Sequence, residues 1–332
     1  MRAMVLDRTG LAEGSPLAMR HVAIPTPVSG EVRVKVRACG LCHTDLHIVE
    51  GDLAPHKQPV IPGHQIVGVI DARGPNVTTH KEGDRVGIPW LHSTDSTCEF
   101  CLRGLENLCI SARFTGYDVD GGYAEYTVVP AEFCYPIPRV FDDEHAAPLL
   151  CAGIIGYRSY RLSGIRSGEN LGLYGFGASA HLVIQLARHH QCNVFVFTRS
   201  EAHQAHAREL GASWTGRAED HPPEQLHAAI IFAPAGSLVR EALRVLRKGA
   251  TLTLAGITML QIPALDYELL YDEKIVRSVA NATRQDGREF LQLAGEVPLR
   301  TEVQIFELAE ANQALEKLKK SEIRGAGVLR IS

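Results

Sequence analysis

Apolar and polar positions alternate in short runs through roughly the first 150 residues, a period of two that predicts half-buried β-strands. "EVRVKVRA", "IVGVIDA" and "AEYTVVP" are the clearest runs, with glycines and prolines between them. This stretch reads as an all-β unit with many turns. From about residue 153 the pattern becomes strand followed by helix. "NLGLY" precedes "ASAHLVIQLARHH", "CNVFVFT" precedes "SEAHQAHAREL", "AAIIFAP" precedes "LVREALRVLRK", and "ATLTLAG" follows. Four apolar runs alternating with helical patterns predict a parallel sheet covered on both faces. Towards the end, "FELAEANQALEKLKKSEIRG" reads as an amphipathic helix with Leu308, Ala311, Leu315 and Leu318 on one side, and "AGVLRI" as a closing strand.

Composition narrows what such a chain does. With 332 residues it is long for one domain and comfortable for two. The formal net charge of −4 leaves no basic face for nucleic acid. No apolar run approaches the ~18 residues of a membrane-spanning helix. The start, "MRAMVLDRTG", lacks an apolar signal core, so a cytoplasmic location is expected. Eight cysteines in a reducing compartment point to metal binding or catalysis before disulfides.

"LYGFGASA" places Gly175, Gly177 and Ala180 as G-x-G-x-x-A after a strand and at the opening of a helix. The first glycine permits the turn, the second lets backbone approach a pyrophosphate, and the helix N-terminus offers partial positive charge. In this context a dinucleotide is the expected ligand, with a plain strand–helix turn as the other reading. The next strand ends in Thr198, Arg199 and Ser200 with no acid at its tip. A guanidinium and two hydroxyls suit a ribose 2′-phosphate, which favours NADP(H) over NAD(H). Ser200 as a plain helix cap, with Arg199 in solvent, is the other reading.

Two groups of metal-ligating residues stand out. Asp95, Cys98, Cys101 and Cys109 form D-x2-C-x2-C-x7-C, a loop able to close around one tetrahedral Zn²⁺. No base sits beside these thiols in the sequence, so the loop reads as structural. The second group begins with Cys42 in "CHTDLH", with His64 in "PGHQ" and Cys151 in "PLLCAG" as possible partners. Two thiolates and one imidazole would leave a fourth position open, as at a catalytic zinc. Spacing alone does not unite residues 42, 64 and 151.

Taken in order, "CHTDLH", "PGHQ", the cysteine loop, "GDRVG", "LLCAGIIGY", "GFGASAH" and "IRGAGVL" resemble the zinc-dependent medium-chain alcohol dehydrogenases along essentially the whole chain. The resemblance implies an α/β architecture: a GroES-like β-rich catalytic domain over 1–152 and 283–332, and a Rossmann doubly wound parallel-sheet domain over 153–282. It assigns Cys42, His64 and Cys151 to the catalytic zinc, with a second, structural zinc in each subunit. It makes Thr44 and His47 a proton relay, and His43 and Arg324 contacts to the cofactor pyrophosphate. Asp45 becomes the group that orients His64 through its other ring nitrogen. Leu53 and Trp90 become walls of the substrate pocket. Cys39, Cys134 and Cys192 are left as small buried hydrophobes. The family's usual cysteine is Asp95 here, and its usual glutamate after the histidine is Gln65. The implied activity is reversible hydride transfer between a primary alcohol or aldehyde and NAD(P), in a homo-oligomer, tetramer before dimer. A polyol or sugar dehydrogenase of the same family is the runner-up, and a non-catalytic NADPH-binding redox sensor a third reading; Trp90 and Leu53 disfavour the former, Thr44 and His47 the latter.

Overall fold

A computed structural model describes residues 1–257 and 259–332. The chain divides into two compact units, Met1–Ile154 with Asn281–Ser332, and Ile155–Ala280.

Among the described residues, the first unit is built on a seven-stranded sheet. Its spine is the strand Glu31–Gly40, where Val32, Val34 and Val36 are fully buried and the charged residues between them face away. Gln65–Arg73 and Tyr126–Pro130 pair with it antiparallel. Ala326–Arg330 also pairs with it antiparallel, placing Leu329 opposite Cys39. Val303–Glu307 then lies parallel to Ala326–Arg330 at the margin. The expected terminal helix runs Ala311–Lys319 after a single 3-10 turn, with Leu308, Ala311, Ala314 and Leu315 buried.

The second unit, among the described residues, is a six-stranded parallel sheet. Its strand order is Trp214–Gly216, Asn193–Phe197, Asn170–Tyr174, Leu226–Ile231, Leu246–Leu254 and Ile275–Ser278. Counted along the chain this is 3-2-1-4-5-6, the doubly wound dinucleotide-binding order. The switch point falls between Asn170–Tyr174 and Leu226–Ile231, directly before Gly175. The helix expected over 238–248 stops at Val245. Leu246 is already extended, Gly249 takes a φ of +70°, and Lys274 Nζ donates to the Leu243 carbonyl in the last turn. A cation on a terminal carbonyl is an ordinary way to end a helix, and its source 31 residues on is invisible to local pattern. The edge strand Ile275–Ser278 is exposed at every position, and Tyr267 and Tyr271 nearby are 74% and 69% exposed.

Candidate active site

The spine strand delivers the chemistry. It ends at Gly40, and Cys42 follows as the N-cap of the helix His43–Glu50. Asp45 closes a capping box there, its Oδ2 accepting from the Cys42 backbone N–H at 2.9 Å. Its other oxygen accepts from His64 Nδ1 at 2.9 Å and from Gly63 N at 3.2 Å. The hydroxyl of fully buried Tyr123 donates to Asp45 Oδ2 at 3.3 Å. Gly63 has a φ of +98°, and a Cβ there would meet the Tyr123 ring at 2.4 Å, so only glycine fits before His64.

With Nδ1 engaged, His64 presents Nε2 to the two sulfurs. The Sγ atoms of Cys42 and Cys151 lie 3.9 Å apart, and the three donor atoms all fall within 4.8 Å of one another. His64 Nε2 is buried and has no hydrogen-bond partner among the described residues. A buried ring nitrogen without a partner is costly, and a cation held with two sulfurs would satisfy it. Burial is the largest influence and works against a charged His64 ring, yet the Asp45 carboxylate and Cys42 together outweigh it and push the imidazole up to about 10. The hydrogen bond from Cys151 holds the Cys42 thiol well below its ordinary value, against burial and with help from His64. Two soft sulfurs and one imidazole, with no fourth metal-ligating side chain grouped with them among the described residues, match an open zinc site.

Around this centre, Thr44 Oγ1 lies 3.6 Å from Cys42 Sγ. His47 sits three residues further on, close to one helical turn, and its Nδ1 is 3.0 Å from Asp52 Oδ2. Gln65 is buried opposite Gly40, where an added Cβ would meet its side chain at 3.0 Å. The Trp90 indole meets His64 edge-on at 4.9 Å and stacks on Phe114 at 4.9 Å. Leu53 is partly buried against the core of the unit. His43 is exposed, and Arg324 is exposed in a bidentate ion pair with Glu302, at 2.8 and 3.2 Å.

The cysteine loop gathers Asp95, Cys98, Cys101 and Cys109 with donor atoms within 4.8 Å of one another. Asp95 Oδ1 accepts from the backbone N–H groups of Cys98 and Thr97, both at 2.9 Å. These bonds hold its carboxyl well below the usual carboxylate range. Cys109 Sγ accepts from Asp95 N and Ser111 N. Backbone N–H groups of Cys101 and Phe100, with the neighbouring thiols, lower Cys98, while burial and Cys98 push Cys101 up to about 12. A carboxylate and three sulfurs supply the four donors that a tetrahedral zinc would need.

In the second unit, Gly175 has a φ of +86° and Gly177 faces open space where a Cβ would stand. Gly177 is the N-cap of the helix Ala178–His189, so no side chain covers its first N–H groups, and Ala180 is fully buried against the sheet. Thr198, Arg199 and Ser200 follow the adjacent strand; Arg199 is exposed and Ser200 Oγ accepts from His203 N at 3.3 Å.

Residues 28–139 match the family model described as alcohol dehydrogenase GroES-like domain, and residues 180–296 match the zinc-binding dehydrogenase model. The chain belongs to the zinc-dependent medium-chain alcohol dehydrogenases. It is an oxidoreductase of that family, with the GroES-like and Rossmann parts expected of it. It is 44% identical over 337 residues to the "Probable alcohol dehydrogenase AdhA" of Mycobacterium tuberculosis (strain CDC 1551 / Oshkosh), covering 100% of this chain and 97% of that one. An alcohol dehydrogenase of Geobacillus stearothermophilus is 37% identical over 326 residues, covering 95% of this chain and 96% of its own. Among solved structures, a cinnamyl alcohol dehydrogenase from Sorghum bicolor superposes with a TM-score of 0.89 at 27% identity, covering 99% and 97% of the two chains. A cobalt- and zinc-bound thermostable alcohol dehydrogenase from Pyrobaculum aerophilum gives 0.89 at 25%, covering 99% of each.

Three groups of the site escape sequence reading. Asp52, Tyr123 and Asn281 reach His47, Asp45 and Trp90 respectively. Only Asp52 lies close enough in sequence for a local signal. Tyr123 had an indirect one, since the glycines at 121 and 122 before it mark close packing: a Cβ on Gly122 would meet Ile66 at 2.4 Å and Cys39 Sγ at 2.9 Å.

Proposed function

We propose that this dehydrogenase interconverts primary alcohols and aldehydes, with two zinc ions per subunit and NADP(H) favoured over NAD(H). The observation that carries the reading is the triangle of buried His64 with the part-buried Cys42 and Cys151, which offers three donors and leaves a fourth position to substrate. A zinc ion held there supplies Lewis acidity at a substrate oxygen, and the nicotinamide supplies a hydride donor or acceptor.

The remaining work falls to the chain's own side chains. Asp45 fixes the His64 ring so that Nε2, and not Nδ1, faces the sulfurs. Thr44, beside Cys42, is placed to exchange the substrate's hydroxyl proton. His47, with its Nδ1 anchored by Asp52, is only part-buried and is placed to pass that proton outward. The indole of Trp90 beside His64 narrows the space next to the reacting carbon, which favours unbranched primary substrates over secondary alcohols, ketones and polyols. Leu53 leaves room for a flat ring further out. Gly175, Gly177 and the bare helix N-terminus receive a pyrophosphate, and Arg199 reads the 2′-phosphate. Asp95, Cys98, Cys101 and Cys109 hold the second zinc as a structural brace.

No helix among the described residues is long and apolar enough to cross a membrane. The exposed edge Ile275–Ser278, which among the described residues pairs on one side only and exposes Ile275 and Val276, supports assembly with further copies of the chain, tetramer before dimer.

Turnover of ethanol, benzyl alcohol and benzaldehyde with each cofactor, before and after chelation, tests the reading. Loss of activity on chelation and its return with zinc is the expected result. Turnover that survives complete metal removal would overturn it.

A further inference from the structure

The Trp90 indole is tied down by a residue 191 positions away. Its Nε1 donates to Asn281 Oδ1 at 3.1 Å. The same amide donates through Nδ2 to the Asn107 carbonyl at 3.4 Å. An indole N–H can only donate and a carbonyl can only accept, so the two neighbours together fix which end of the Asn281 amide faces which. Backbone geometry restricts the position further. Asn281 has a φ of +53°, a left-handed conformation that asparagine and glycine adopt more readily than other residues.

The anchor is itself anchored. Asn107 follows Glu106, and both are buried in the turn that leads to Cys109. Glu106 Oε1 accepts from the backbone N–H of Arg284 at 2.9 Å and from its Nε at 3.1 Å. Residues 281–284 are thus pinned at two points onto the 106–107 turn. Among the described residues the indole otherwise packs on the apolar core of the unit, stacks on Phe114, approaches Tyr117 more loosely at 5.9 Å and meets His64 edge-on. Flat contacts of this kind resist lifting but permit a ring to slide in its own plane. The hydrogen bond to Asn281 is the directional restraint.

We propose that Asn281 is the specificity-determining positioning residue of this enzyme, fixing the indole of Trp90 beside His64 through the bond from Nε1 to Oδ1. The proposal rests on the reading of Trp90 as a wall of the substrate pocket. Asn281 touches neither substrate nor metal donors in this scheme; it acts through the tryptophan.

The test uses Asn281→Gly, which removes the amide and keeps the positive φ, and Asn281→Asp, which keeps an acceptor for the indole but cannot donate to Asn107. Trp90→Ala is the reference. The readouts are the ratio of kcat/KM for 1-butanol to that for 2-butanol, zinc content, and acrylamide quenching of Trp90 fluorescence in a Trp214→Phe background, since the chain has two tryptophans. Trp90→Ala should lower the ratio about tenfold or more, the scale of accommodating one extra methyl group. Asn281→Gly should lower it about threefold, the scale of one neutral hydrogen bond, with zinc unchanged and Trp90 more readily quenched. Asn281→Asp should stay near the parent in ratio and quenching. Asn281→Ala replaces the glycine variant if that one does not fold. If Trp90→Ala shifts the ratio and Asn281→Gly leaves both ratio and quenching at parent values, the proposal is overturned while the pocket reading stands. If Trp90→Ala itself changes nothing, the pocket reading fails and takes the proposal with it.

Discussion

Asp45 and His64 form a fully buried pair, carboxylate oxygen to Nδ1 at 2.9 Å, and the same carboxylate accepts from the backbone N–H of Cys42. One side chain therefore sets the tautomer of the imidazole and the start of the helix that carries the neighbouring sulfur. Asp45→Asn should weaken zinc binding about 10- to 100-fold, the usual scale for losing a carboxylate behind a ligating histidine. Tyr123→Phe, which removes one donor from that carboxylate, should give a smaller loss in the same direction. Competition with a chromophoric chelator measures both; unchanged zinc affinity in Asp45→Asn would refute the role.

With one zinc in the cysteine loop and one at Cys42, His64 and Cys151, the parent protein should carry two zinc ions per subunit. Asp95→Cys supplies a fourth sulfur and should preserve or raise thermal stability, by about 2–4 °C for each kcal/mol gained. Elemental analysis and a melting curve check this. One zinc per subunit in the parent would mean that the loop closes without metal.

Cofactor choice turns on the "TRS" tip. Arg199→Ala should weaken NADPH binding by about 1.5–3 kcal/mol, the scale of a hydrogen bond to a charged group, and barely alter NADH. Titration of both cofactors into the variant decides the matter. Equal losses would remove Arg199 from the 2′-phosphate.

A pH effect follows from His92, which is buried with its Nδ1 lacking a partner among the described residues. Burial pushes it from 6.5 down to about 4; the Val128 carbonyl and Asp118 oppose that shift and Arg113 adds to it. Because the folded value lies below the unfolded one, the unfolded chain takes up the proton first. Stability from this group is complete above pH 6.5 and is lost as pH falls towards 4, by on the order of 3 kcal/mol. His92→Gln should flatten that part of the stability profile relative to the parent. Parallel profiles for the two proteins would show that His92 does not titrate this way.

Much of this was readable before any coordinates. The alternation in "EVRVKVRA" and the strand–helix rhythm after residue 153 are local, because a strand buries every second side chain and a helix about every third or fourth. The cysteine loop was equally local, with its four donor residues inside 15 positions. Cys42, His64 and Cys151 were not, since no periodicity spans 109 residues; only the order of motifs along the chain linked them. Tyr123 and Asn281 gave no direct signal, because a hydrogen bond across 78 or 191 positions leaves no mark on either local segment. The helix ending at Val245 was misjudged for the same reason, as the lysine on its last turn comes from residue 274.

The pairing of Ala326–Arg330 with Glu31–Gly40 also has a bearing on how the protein is born. While the ribosome makes the second unit, the Ala38–Gly40 end of the strand that leads to Cys42 lacks its neighbour on one side. Joining segments almost 300 residues apart costs about 5 kcal/mol of closure entropy if the intervening chain is a flexible loop. That cost falls once residues 155–280 have folded as a body of their own. The nascent chain thus has reason to complete its later unit before its earlier one. Until residues 326–330 arrive, the Ala38–Gly40 edge of that strand stays unpaired, and the young polypeptide is most open to edge-to-edge association and capture by chaperones.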